Sequence, residues 1–478
     1  MIILYYANAF DAKTYPFLSF ALFQDNGERY PLDAVFGSTF AVHEDALAQY
    51  GPPRLTATAV WAFFCQVLAI GAMFTHVIFF MGKEYVFPWL TCALVAQIHD
   101  LTLTRCVPYI SNSLLRFWRE EVRNSHHDPH FQAMKKYPEV PHWWYLGLFA
   151  AAIVAAFLTI GLSYTTLPWW GFAVSLVLGI FITPFSATIY SQVSCVDVVW
   201  IALGPISLLS DFKASPIQFG SSIATNMFSK MVAGAIHPGR PVANLFFSHF
   251  CHQVVLITTA LGDMQKLGIY LKVPHRTTMW TQCYATVFGA FLGWAILSKI
   301  IENKRDILID PTGNNQWSGQ YYMSLNSQAV EWSLANKVFA LGGGYEIVPL
   351  GILIGALIPV IHWLLFRRFA TIRKAGEMVT TPLFLLYLQE LASGINSTVT
   401  SAVVLGTFIQ LWLRKHRPRI FREYAYLLTG AVDGAAQIVV VILSFTLLGG
   451  NGKPIPFPTW FGNPDGSPDH CVSTSTAG

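Results

Sequence analysis

The sequence predicts an all-α polytopic transmembrane helical bundle, with about eight spans plus one or two re-entrant segments. Three observations carry that prediction. Hydrophobic residues make up 54% of the 478 and charged residues only 12%, whereas a soluble domain carries about a quarter charged residues. Apolar runs of roughly 20 residues, the length that crosses a bilayer's hydrocarbon core, recur along the chain. Between them, Lys and Arg gather in a few short connections, the pattern that fixes orientation in a membrane.

The clearest runs are 55–81, 143–163, 168–190, 221–237, 241–262, 277–298, 345–366 and 424–448, of which 221–237 is short and polar. The richest basic connections are 114–136, 266–276, 367–374 and 414–422. Placing them all on the cytoplasmic side is self-consistent. It makes 1–54 an outer N-terminal segment, 55–449 the transmembrane core and 450–478 an outer C-terminal tail. Segment 375–413 then crosses an even number of times. Its polar centre, QELASGINSTVTS, suits a re-entrant or broken helix, because irregular backbone at membrane depth survives only inside protein or beside a wet cavity. The same parity makes 326–344, with Gly342-Gly343-Gly344, a hairpin or surface segment. Residues 85–113 and 193–216 fit the span pattern badly and read as non-spanning.

Composition also narrows the function. The net charge is only +4, and the basic residues form no continuous stripe, so nucleic acid is a poor partner. The seven cysteines show no CxxC spacing, and most lie in apolar runs, where Cys behaves as a small hydrophobe. The opening MIILYYANAFDAKTYPF has no basic n-region and no continuous h-region, so it is not a signal peptide. Either the first span directs insertion or a preceding part is absent. No GxSxG, HExxH, P-loop or GxGxxG context supports an enzyme. His126-His127-Asp128-x-His130 reads as a solvated loop and not as a zinc site, so neither a metal nor another cofactor is expected.

The most informative stretch is the charged, proline-bearing loop at 263–276, between two long apolar runs. Charge there is costly unless it faces water or lines a polar path. Asp263, Lys266, Tyr270, Lys272 and Arg276 are therefore candidates for binding substrate or gating, against the ordinary reading of a loop that holds orientation. Asp433 lies inside the run 424–448. A carboxylate at that depth costs about 2.5–3.5 kcal/mol on insertion scales, so it needs a polar cavity or a partner. It is a proton-coupling candidate, as are His249 and His252, which share a helix face at i, i+3. Asn396, beside Gly394, would expose backbone to a ligand in the broken segment. Pro238 and Gly239 break the chain before a helix starting at Pro241, whose free amides suit an anionic ligand.

Several motifs, ordered along the whole chain, resemble one family. They are FDAKTYPFLSFALFQDNGERY with YGPPRLTATAV, DPHFQAMKKYPEVPHWWY at 128–145, IHPGRPVANLF at 236–246, the stretch GDMQKLGIYLKVPHR, and EYAYLLTGAVDGAAQ followed by PTWFGNPDGSPDHC. Together they are similar to the oligopeptide transporter (OPT) family, in its peptide-transporter branch, and match its C-terminal portion. The family's N-terminal motifs have no counterpart here, nor do 85–113 and 193–216 have one in the family. His275 replaces the second proline of the family hairpin, and Lys230 stands at a position that is acidic in the family.

The resemblance implies proton-coupled transport of small oligopeptides, of tetra- to pentapeptide size, by a multi-pass protein of the plasma membrane. Its partners would be small peptides, protons and the lipid bilayer. Substrate would bind near the midplane between broken helices. Glutathione or a metal chelate as cargo, or a truncated fragment without transport, are the alternatives.

Overall fold

The computed structural model describes the chain apart from residue 1 and residues 17–18, 38–39, 82–128, 164, 193–222, 224, 311–316, 318, 369–378, 390–403, 451, 453–454, 456–459 and 461–478. Among the described residues the architecture is helical, with isolated bridges from Phe23 to Arg29 and Arg54 as the sole extended pairing. The all-α expectation holds.

Six helices are long and apolar enough to cross a membrane. They are α1 (Ala57–Met81), α2 (His142–Leu162), α3 (Trp169–Gln192), α5 (Pro241–Tyr270), α6 (His275–Ile309) and α9 (Ile347–Arg368). The chain is thus a multi-pass integral membrane protein. Its shorter helices include α4 (Asn226–Ile236), α7 (Gln320–Ser333), α8 (Ala335–Val338) and α10 (Thr381–Tyr387). The last long helix is α11 (Pro418–Thr446).

One expected span comes out differently: the run 221–237 yields only the 11-residue α4, which begins at Asn226. The run 424–448 lies in the 29-residue α11. The expected re-entrant centre at 389–401, apart from Gln389, and the ill-fitting patches 85–113 and 193–216 fall outside the described residues.

The contacts divide the chain into two units, residues 1–280 with 326–393, and residues 281–325 with 394–478. In the first unit, α1 packs along α9 and against α10, α3 packs along α5, and α4 packs on α5. Glycines let these backbones approach. A Cβ on Gly71 would sit 2.1 Å from the Ile352 carbonyl oxygen, and one on Gly355 would sit 2.1 Å from that of Leu68. Small residues at such crossings are how membrane helices gain contact when lipid offers no hydrophobic drive. By contrast, α2 buries no residue, and it presents Trp143, Leu146, Val154 and Leu158 outward. Apolar surface on that scale is what lipid covers.

The N-terminal residues are folded onto this bundle. Leu22, Tyr30, Val35, Phe36 and Leu47 share one apolar cluster with Leu55, Val60 and Phe63 of the α1 end and with Trp332, Leu334, Val338 and Tyr345. The Tyr30 hydroxyl donates to the Gly51 carbonyl at 2.7 Å, and burial pushes that phenol up to about 12. Of the two readings of 326–344, hairpin or surface segment, the surface one does not hold: Ala329, Val330, Trp332, Leu334 and Val338 are all buried, because α7 and α8 pack into this cluster.

In the second unit, the Trp317 indole donates to the Leu448 carbonyl at 2.8 Å and the Lys304 ammonium to that of Gly452 at 3.1 Å. These bonds tie the chain following α11 to the end of α6.

Candidate functional site

The 263–276 stretch is a helical hairpin and not a loop. Helix α5 runs on to Tyr270, since nothing before Val273-Pro274 forbids it. The residue before a proline is pushed out of the α region, and this ends the helix. The connection is short, with Val273 N–H donating to the Gly268 carbonyl at 2.9 Å and Lys272 left-handed at φ 58°. Asp263, Lys266 and Tyr270 consequently ride on the last turns of α5.

Lys266 and Tyr270 are neighbours at i, i+4, and the ammonium sits 5.1 Å from the ring centre. Arg276 opens α6 and reaches back to the stretch that leads into α2. Its Nε donates to the Glu139 carbonyl at 3.2 Å, and its guanidinium lies 5.9 Å from the Trp144 ring. Trp144 in turn meets Trp280 edge-on at 5.6 Å. The hairpin thus brings Lys266, Tyr270, Lys272 and Arg276 to one polar, exposed end, where an anionic group could be met.

Pro238 and Gly239 form the tight turn between α4 and α5, with Gly239 at φ 72°. Its N–H donates to the Ser333 carbonyl at 2.8 Å, and its own carbonyl accepts from Val42 at 2.9 Å. The turn's polar groups are engaged within the protein. Pro241 then occupies the first turn of α5, where its missing N–H costs nothing.

A second polar cluster lies deeper, between α4, α5 and α7. Lys230 and Glu331 are each only 1% exposed. The Lys230 ammonium donates to Gln328 Oε1 at 2.7 Å, and its backbone carbonyl accepts from Asn244 Nδ2 at 2.8 Å. Gln328 and Glu331 stand three residues apart on α7 and hence on one face. Lys230 and Glu331 act on each other electrostatically, yet among the described residues neither carboxylate oxygen has a hydrogen-bond partner. Sitting on α7, outside the six spans, the Glu331 carboxyl is raised well above its usual range by burial, and Lys230 opposes that shift. The helices meet closely here, because a Cβ on Gly234 would fall 1.8 Å from the Trp332 carbonyl oxygen.

His252 borders this cluster. Its Nδ1 is 2.9 Å from Thr225 Oγ1, and it interacts electrostatically with both His249 and Lys230. His249 itself is on the exposed side of α5, against Phe250. Asp433 lies on α11, in the other unit. Asn396 is outside the described residues, and so are His126, His127 and Asp128.

Sequence reasoning noted Lys230 only as a departure from a family pattern and missed Glu331. A signal was present: a single acid inside AVEWSLANKV, with apolar neighbours on both sides. It was masked by the parity argument that put 326–344 at the surface.

The chain is similar to oligopeptide transporter 7 of Arabidopsis thaliana, 23% identical over 475 residues, covering 98% of this chain and 54% of the relative. Oligopeptide transporter 8 of the same plant is 26% identical over 479 residues, covering 97% and 56%. Oligopeptide transporter phomP2 of Diaporthe leptostromiformis is 22% identical over 521 residues, covering 98% and 56%. The chain therefore spans about half the length of the curated relatives it matches. No solved structure matches it. The sequence model described as OPT oligopeptide transporter protein matches residues 1–447. With that match over most of its length, the chain belongs to the OPT oligopeptide transporter family.

Proposed function

We propose that this chain takes part in moving small oligopeptides, of tetra- to pentapeptide size, across the plasma membrane in step with protons. The observation that carries the reading is the family match over residues 1–447, together with relatives named as oligopeptide transporters. The bundle supplies what such a task needs physically. Lys230 and Glu331 form a buried charged cluster, and Lys266, Lys272 and Arg276 form an exposed one at the hairpin end.

In this reading Lys266, Tyr270, Lys272 and Arg276, with Asp263, meet the charged termini of the peptide at the hairpin. The turn at Pro238 and Gly239 and the segment around Asn396 shape the path. Asp433, His249 and His252 are the sequence's candidates for handling the proton, since groups near neutrality or buried in apolar surroundings can change charge during a cycle. The domain plan follows: an outer segment 1–54, a transmembrane core 55–449 and a tail 450–478.

The test is uptake of labelled tetrapeptide by a peptide-transport-deficient host expressing the 478-residue chain. Uptake that requires an inward proton gradient and is outcompeted by unlabelled tetrapeptide supports the reading. Competition by glutathione or a metal chelate instead would reassign the cargo. Surface-localised protein without any uptake would reject transport by this chain alone.

A second reading has one observation behind it, the coverage of about half of each relative. Here the chain works only alongside the complementary half of an OPT bundle. Uptake that appears only when that half is co-expressed distinguishes it.

A further inference from the structure

The buried cluster contains more than the reading above uses. Glu331 is a carboxylate with 1% exposure and no hydrogen-bond partner for either oxygen among the described residues. Leaving an ionised carboxylate in that state is costly, and proteins avoid it by neutralising the group or pairing it. A charge suited to pairing is at hand, yet the Lys230 ammonium is engaged at 2.7 Å by Gln328, one helical turn before Glu331 on the same face of α7. The arrangement is that of a cation with two alternative partners.

We propose that Glu331 is a proton-binding residue of the transport cycle, and that binding the proton frees Lys230 to pair with Gln328. The observed geometry is then the protonated state: Glu331 is a neutral acid and the ammonium rests on the amide oxygen. When Glu331 releases its proton, the carboxylate becomes the better partner, and the ammonium moves one turn along α7 to meet it. One proton enters or leaves at a Glu331 carboxyl oxygen, and Lys230 keeps its own throughout. Because Asn244 holds the Lys230 backbone at 2.8 Å, the movement is passed to α4 and α5 and not absorbed by the lysine alone. The proposal rests on the proton-coupled reading above.

The pair is a poor clamp for the peptide itself. The termini of an extended tetrapeptide lie roughly 13 Å apart, whereas Gln328 and Glu331 are a single turn apart and both charged groups are closed off. The other titratable groups around the cluster have been placed. Lys230 is the charge that acts on Glu331; His252 on α5 acts with Lys230 and His249; His237, on the α4–α5 turn, acts with Arg240; and Lys337 on α8 is paired with Glu44 at 2.8 Å.

The test uses the full chain in liposomes, with carboxyl protonation read by difference infrared spectroscopy as the pH is stepped. A protonated-carboxyl band should titrate in the unmodified chain and be lost in Glu331→Gln. In Lys230→Gln the band should persist to higher pH, because removing the cation favours the neutral acid. Glu331→Asp, which keeps a carboxyl, should shift the titration midpoint and so identify the site even if the Gln variant folds poorly. A band unchanged in all three variants, or no titrating band at all, overturns the proposal. Peptide uptake is scored separately in the same liposomes. Failure of uptake with a titrating Glu331 would reject the transport reading while leaving the switch in place. Gradient-driven uptake that is intact in Glu331→Gln would reject the role of Glu331 in the cycle.

Discussion

The Nζ of Lys230 lies 2.7 Å from Oε1 of Gln328, although a wholly buried carboxylate, Glu331, stands one turn further along the same helix. A neutral amide holds the cation while the acid beside it has no hydrogen-bond partner among the described residues. That preference fixes the expected behaviour of the cluster when either partner is changed.

Replacing Gln328 with Leu removes the acceptor and leaves the ammonium dependent on Glu331. A hydrogen bond to a charged group contributes about 1.5–3 kcal/mol, and the loss should be of that size. The sign follows from the Glu331 carboxyl, which is raised in the folded protein. In acid it is neutral and offers the ammonium only an uncharged carbonyl oxygen, so the deficit is largest. As the pH rises through its folded value the carboxylate takes over and the deficit shrinks. Thermal unfolding of the purified variant in detergent, across pH, measures both.

Gly234 has no room for a side chain, with the Trp332 carbonyl oxygen 1.8 Å from where a Cβ would be. Gly234→Ala should force α4 from α7 and cost about 1–3 kcal/mol or more. Gly161→Ala is the control, because nothing lies within 4 Å of its Cβ position, and there it should be neutral or slightly stabilising. Melting temperatures and yields of monodisperse protein compare the two.

Arg276 joins the hairpin to Glu139 and Trp144. Arg276→Ala should release the 137–144 stretch and speed its cleavage in limited proteolysis of detergent-solubilised protein. Lys266→Ala loses an exposed cation–π contact to Tyr270, of about 0.5–1 kcal/mol, and should leave that cleavage rate unchanged. Equal rates in both variants would remove the hairpin's anchoring role from Arg276.

Tyr30 keeps its proton to about pH 12. Because its folded value is raised, the stability it contributes is full below the ordinary tyrosine range near pH 10 and is lost as pH climbs towards 12. Tyr30→Phe should cost about 1 kcal/mol at neutral pH through the missing bond to Gly51. It should also reduce the component of the tyrosinate absorbance that titrates near pH 12.

Sequence by itself determined the class of this protein. Scarce charge, spans of bilayer length and basic connections require a helical membrane bundle, because lipid leaves the backbone no other partner than itself. The motifs from FDAKTYPF to EYAYLLTGAVDGAAQ were likewise legible in order along the chain. Periodicity and sidedness could not show where helix α5 ends, since charged residues continue a helix as readily as apolar ones once it emerges from lipid. Nor could they place Glu331, because a lone acid in AVEWSLANKV is a surface residue or a buried one according to what packs over it. Tertiary structure decided that: α4 meets α7 closely at Gly234 and brings Lys230 from 98 residues away in sequence to Gln328. Pairings at such separation depend on which helices meet and at what distance, and local sequence carries no record of either.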